Sequence, residues 1–377
     1  MSHQRPCVFA LDVTLSVTAA NQMVCSSTMR TEAVFFGVLS AALFGIATPL
    51  SKMLLQSLSQ FAFAGLLYLG AGFGMLPFVA AQWRRSGRGR LDGRNALRLG
   101  AAVLFGGCLG PVLLLLGLKS AQASSVSLWL NLELAATAVL GFIFFRDQLH
   151  LLGSLGVAGA LLAGVLITIG EGSAGIIPSL FVALACVCWG LDNNLTALID
   201  GLTPQETTFV KGIIAGAVNS IIGALTVGAL PGAAVGVASL ALGAVCYGGS
   251  IVLYITAAQR IGAARGQVLF ASAPFFGMLF SFLLLAERLS ALQIVAVAVL
   301  LGSIALMLRG RHAHSHLHEK MSHIHSHRHD DMHHTHTHAG TPASLFHSHE
   351  HDHESLAHEH GHVPDLHHRH DHGSSGS

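Results

Sequence analysis

Across 377 residues the chain is 52% hydrophobic and only 10% charged, with a formal net charge of +1. Soluble domains carry roughly 25% charged residues, so this composition excludes an ordinary soluble fold and points into a lipid bilayer. No nucleic-acid partner is expected.

The first thirty residues read as a leader. Cys7 to Ala20 is mildly apolar, but Asp12 interrupts it and no small-residue cleavage site follows, which argues against a signal peptide. Met29-Arg-Thr-Glu directly precedes the first strong span. Met29 is therefore the expected natural start, with residues 1–30 upstream sequence or a disordered leader.

Beyond it, uncharged runs of about 17–25 residues, the length that crosses a bilayer, recur down the chain. They lie at 33–51, 60–81, 96–118, 121–144, 150–169, 174–195, 207–227, 235–258, 262–286 and 290–308. Most show no polar face at 3.6-residue spacing, unlike helices of a soluble bundle. The expectation is an all-α membrane protein of ten transmembrane helices. Gly201 and Pro204 mark a turn between spans six and seven. Gly106-Gly-Cys-Leu-Gly110 and Gly212-Ile-Ile-Ala-Gly216 place small residues four apart, which favours close helix packing. Pro49, Pro111 and Pro274 are candidates for helix breaks that free a backbone carbonyl. The cysteines follow no disulfide or zinc spacing; Cys186 and Cys188 point to different helix faces.

After Arg309 the composition changes abruptly. Of the 25 histidines, all but His3 and His150 fall within 312–372, mostly as His-X-His with acids between them. Residues 311–377 hold too little apolar surface to fold alone and are expected to be a disordered cytoplasmic tail. Neutral imidazoles suit divalent zinc, nickel, cobalt and copper. The expected ligands are His312, His314, His316, His318, His323, His325, His327, His329, His333, His334, His336, His338, His347, His349, His351 and His353. Any histidine-rich peptide would bind such ions, so the signal has low specificity. No cofactor is required.

Arginine placement orients the spans. With a cytoplasmic N-terminus, the inner loops carry Arg30, Arg84, Arg85, Arg88, Arg90, Arg94, Arg98, Arg146, Arg260, Arg265, Arg309 and Arg311. The outer loops carry Lys52, Lys119 and Arg288. Both termini then lie in the cytoplasm, as in a multi-pass protein of the inner membrane.

The two halves echo each other. Leu149 and Leu289, Leu152 and Leu292, Val157 and Val297, and Leu161 and Leu301 coincide at a fixed offset, each set following an acid beside an arginine. Five spans per half is an odd number, so the second half enters the membrane inverted relative to the first. Residues 31–170 and 171–310 are the expected repeats.

Ionisable groups within spans mark function more sharply than packing residues do. A charge near the bilayer centre costs roughly 2.5–3.5 kcal/mol on insertion scales and is seldom placed there without a partner or a purpose. Glu133 in span four, Asp192 in span six and Lys211 in span seven qualify. Asn131 lies beside Glu133, and Asn193 and Asn194 follow Asp192. Trp129 and Trp189 fall one turn away, as cavity walls or as packed core. Asp192 and Lys211 fit either a cavity lining or an interfacial ion pair. No phosphate-binding Gly-Lys-Ser/Thr loop or nucleophile triad is present, so no enzyme activity is expected.

These features resemble the EamA-type branch of the drug/metabolite transporter superfamily over residues 31–310. The resemblance rests on the five-plus-five repeat and the Ala-Glu-Arg-Leu-Ser ending of span nine. It also rests on Phe44-Gly-Ile-Ala-Thr-Pro-Leu-Ser-Lys52, on Trp189-Gly-Leu-Asp-Asn-Asn-Leu-Thr196 in the matching place, and on Asn131-Leu-Glu133. Asp147 replaces that family's usual glutamate, and Leu134 stands where a proline is usual. The resemblance implies a secondary transporter, often an exporter of small metabolites, with its cavity between the repeats. Three functions follow as expectations: export or exchange of a small organic solute, divalent-metal efflux, or metal buffering and sensing without transport. The expected partners are the solute, the lipid bilayer and divalent metal ions, with homodimerisation left open.

Overall fold

The computed structural model describes the backbone of residues 9–89, 91–145, 151–199, 201–227, 232–261, 266, 269–309 and four short tail segments, with side chains between 31 and 307. Helix α1 runs Phe9–Leu54 without interruption. The leader is helical from Phe9 on because no glycine or proline separates Pro6 from Gly37, so nothing stops the helix that begins the first span. Pro49 sits inside α1 without ending it.

Capping residues punctuate the rest. Ser59 caps α2 (Gln60–Ser86) by accepting from the Ala62 amide, and Gly87 ends it at φ 77°. Asp92 caps α3, which runs through Gly93–Ala102, a π-helical Val103–Leu109 and Gly110–Ser120. Helix α4 is split into Ala123–Trp129 and Leu132–Phe145. Then come α5 (Leu151–Gly170), α6 (Ile176–Thr196) and α7 (Pro204–Val227). Thr203 and Glu206 form a reciprocal capping box at the head of α7, at 3.3 and 2.9 Å. Helix α8 joins Ala233–Leu242, a π-helical Gly243–Gly249 and Ser250–Ile261. Ser290 and Gln293 make a second capping box before α10 (Ala291–Arg309).

Among the described residues, eight helices are long and apolar enough to cross a membrane; Ala273–Leu285 and Ala291–Met307 are shorter apolar helices. The expected span over 262–286 is thus not one helix in its described part. The chain turns at Ala271 and Ser272, and α9 (Ala273–Leu285) starts beside Pro274, whose missing N–H suits a first turn.

The repeat is written into the elements themselves. The π-helical segments begin at 103 and 243 and end at 109 and 249, an offset of 140 residues at both ends. Helices starting at 93, 110 and 151 recur at 233, 250 and 291. Packing obeys the same exchange: α1 lies against α8 and α9, as α6 lies against α3 and α4. Helix α2 packs on α7, and α5 on α10. Each half therefore completes its core with helices of the other. At the α2–α7 seam a Cβ on Gly212 would stand 2.7 Å from the Gly72 Cα, so only glycines allow this approach.

In the tail, β1 (Ala313–His318) pairs antiparallel with β4 (Leu356–Gly361), and β2 (Met321–His327) with β3 (His347–His353). The His-X-His alternation, expected to lack regular structure, thus includes paired strands. In the register observed, histidine stands opposite histidine at 314/360, 316/358, 323/351, 325/349 and 327/347. His312, His329, His333, His334, His336 and His338 lie outside the described residues, as do Asp147 and residues 1–8.

Candidate functional site

The polar groups singled out within the spans converge where α4, α6, α7 and the π-helical turn of α3 meet. Lys211 on α7 donates to both carboxylate oxygens of Asp192 on α6, at 2.7 and 2.5 Å. Asp192 is 5% exposed, and Thr196, one turn along, donates to it at 2.9 Å. Gly106 is why the carboxylate fits: an added Cβ there would lie 2.6 Å from the Asp192 Cβ and closer still to its carboxylate.

Glu133 lies next to this pair but is not part of it. Its Oε1 accepts from Asn193 Nδ2 at 2.9 Å, and the same amide donates to Thr137 Oγ1 at 3.2 Å. Asn194 donates to the carbonyls of Thr137 and Gly190, which fastens α6 to α4. Close contact there also requires Gly190, whose Cβ would stand 2.8 Å from the Thr137 amide. Lys211 gives its ammonium to Asp192, so Glu133 has an amide for its hydrogen-bond partner.

The backbone of α3 supplies the third component. A π-helical turn shifts carbonyls off their intrahelical donors, and side chains fill the gap. Gly106 accepts from the Tyr68 hydroxyl at 2.6 Å and from Trp189 Nε1 at 2.9 Å. Asn219 donates to the carbonyls of Gly107 and Cys108, both at 3.3 Å. Helices α2, α6 and α7 thereby grip one turn of α3, directly beneath Asp192.

Two expected residues fall elsewhere. Trp129 is fully buried and donates to the Gly164 carbonyl at 3.2 Å, so it packs α4 on α5 and lines no polar group. Asn131 turns back to the Leu128 carbonyl at 3.1 Å, satisfying the break in α4.

Residues 31–169 and 176–309 each match the EamA-like transporter family. The chain belongs to that family. An uncharacterized transporter of Methanothermobacter thermautotrophicus is 27% identical over 296 residues, covering 72% of this chain and 85% of that one. A crystal structure of a protein shares the fold at a TM-score of 0.52 and 18% identity, over 73% of this chain and 94% of that chain. The two matched segments end 140 residues apart, the same offset as between the halves, so the chain carries two EamA-like units. Membership makes this chain a multi-pass membrane transporter.

Within this EamA-like frame, several residues of the site carried no signal in the sequence. Tyr68, Asn219, Thr137 and Thr196 are ordinary polar residues in apolar helices, and only the neighbouring helix reveals their use. Gly106 was legible as a packing glycine but not as the seat of a carboxylate. The pairing of Asp192 with Lys211 was legible as one of two readings, because two opposite charges in adjacent spans have few other partners.

Proposed function

We propose that this chain is a ten-helix secondary transporter of the inner membrane, with inverted repeats and both termini cytoplasmic. It exports or exchanges a small organic solute. The observation that carries the reading is Glu133: a carboxylate within a span, bonded to one amide and beside an ion pair that is already neutral. Such a group favours a proton or a polar solute group as its missing partner. Asp192 and Lys211 then hold α6 and α7 together until the solute or a proton competes for them, and Asn193 and Asn194 bind solute as the halves rock about the site. Trp189 frames this group; Trp129 and Asn131 have structural roles.

The test compares intracellular metabolites and metals, untargeted, in cells with and without the gene, and then with Glu133→Gln. The substitution keeps the shape and removes the charge. It is expected to lower solute flux at least tenfold while the protein still reaches the membrane. Unchanged flux across a broad metabolite panel would remove Glu133 from the site.

The cross-strand histidine register in the tail supports a second property, binding of divalent transition metals. Its role as cargo loader, sensor or buffer is separable: metal tolerance restored by the full chain but not by one lacking 312–377 places that role in the tail.

A further inference from the structure

At the end of the bundle opposite Asp192, the corner joining α3 to α4 is held from two sides. Lys52, near the end of α1, donates through Nζ to the carbonyls of Leu118 at 2.6 Å, Lys119 at 3.2 Å and Ala121 at 2.7 Å. These are carbonyls at and just past the last turn of α3, where intrahelical donors run out. Glu287 takes the other side. Its Oε1 accepts from the Ala123 amide and its Oε2 from the Ser124 amide, both at 2.8 Å, which satisfies the first free N–H groups of α4. A cation thus meets a helix C-terminus and an anion a helix N-terminus, two residues apart in chain order.

Three further features converge on the corner. Ala286, just before Glu287, adopts φ 53°, ψ 28°, and is the one non-glycine residue at positive φ among those described. That conformation costs an alanine energy, and it turns the chain so that Glu287 faces α4. Ser125 donates to the Glu171 carboxylate and accepts from Gln293 Nε2 at 2.6 Å. Beneath the corner, α1, α4 and α9 close on small residues: a Cβ on Gly277 would meet Ser127 Oγ at 2.5 Å and the Gly45 carbonyl at 3.1 Å.

Lys52 and the corner belong to the first repeat, whereas Glu287 belongs to the second. We infer that Glu287 is the latch closing this face of the transporter across the two repeats, with Lys52 fixing the corner in register to receive it. Both are positioning residues: they set which face is open and touch no solute. The inference rests on the alternating-access reading proposed above. On the arginine-based orientation the latch faces outward.

The experiment uses the full chain in right-side-out and inside-out membrane vesicles, with native cysteines replaced by serine and one cysteine introduced. Ser127→Cys reports on the latch face and Asn193→Cys on the opposite face, each by its rate of reaction with a membrane-impermeant methanethiosulfonate. Glu287→Gln leaves one amide N–H facing another donor, and is expected to raise labelling at 127 about tenfold, the loss of one charge-assisted bond, while labelling at 193 falls. Ala286→Gly keeps the carboxylate and removes the left-handed strain of the closed state, so it is expected to lower labelling at 127. Glu287→Asp is expected to restore part of the closure. Labelling at 127 that ignores Glu287→Gln overturns the latch, as does a rise at both positions, which means general loosening. A rise at 127 with 193 unmoved instead overturns alternating access and leaves the contact standing.

Discussion

The Asp192–Lys211 bridge shows how one residue's cost fixes another's identity. Breaking a buried pair by removing one partner costs about 3–5 kcal/mol, because the other charge is left without compensation. Lys211→Met is therefore expected to lower the thermal unfolding midpoint sharply in detergent, and Asp192→Asn added to it to recover much of the loss. An additive double variant would mean that the two charges act independently. Gly106→Ala tests the same site through space rather than charge. Its Cβ falls on Asp192, so overpacking of about 1–3 kcal/mol is expected with a loss of folded protein. Charge alone made Glu133, Asp192 and Lys211 legible in the sequence, since each is costly in lipid. It left open whether Asp192 and Lys211 pair or line a cavity, because that depends on helix rotation.

At the scale of elements, the π-helical turns of α3 and α8 share position but not environment. The α3 turn receives Tyr68, Trp189 and Asn219. Counting 140 residues from each, the α8 turn would be met by Thr208, Pro49 and Val79, of which only threonine can donate. Among the described residues, the α8 turn instead receives the Ser250 hydroxyl of its own helix on the Tyr247 carbonyl, at 2.8 Å, so the two turns are held differently. Tyr68→Phe and Trp189→Phe are each expected to cost about 1 kcal/mol, and the double variant more than their sum, since both bonds end on the Gly106 carbonyl. Thermal unfolding of the three variants measures this. Nothing in the sequence distinguished these turns from ordinary glycine-rich packing. The clamp on the α3 turn is made by donors arriving from other helices, not by local composition. The capping boxes, by contrast, are local: Thr203-Pro-Gln-Glu206 and Ser290-Ala-Leu-Gln293 carry their pattern within four residues.

For the whole molecule, the exchange of helices between halves is the organising fact. Because α1 packs on α8 and α9 while α6 packs on α3 and α4, neither half is expected to fold alone. Separate expression of residues 31–170 should yield aggregate, and co-expression with 171–310 should restore a folded complex by size-exclusion chromatography. The tail titrates on its own terms. Imidazoles bind metal only when unprotonated, so affinity for zinc is expected to be full well above pH 6.5 and to fall as pH drops through about that value. Isothermal titration of the full chain against zinc at pH 7.5 and 5.5 checks it, and equal affinity at both would point to acidic rather than histidine ligands.

Eight membrane-length apolar helices, the two-fold repeat and the three intramembrane charges were legible in the sequence alone, because hydropathy, chain periodicity and the cost of charge in lipid are properties of short stretches; the expected span over 262–286 is instead broken at Ala271 and Ser272. Tertiary structure decided the rest. Trp129 became core rather than cavity wall, and Glu287 became the cap of a helix more than 160 residues away in sequence. Gly106 became the floor under a carboxylate, and Glu133 was left with an amide for its hydrogen-bond partner. Each of these depends on which surfaces two distant helices present to one another. That is set by packing across the repeats, which no local stretch of chain encodes.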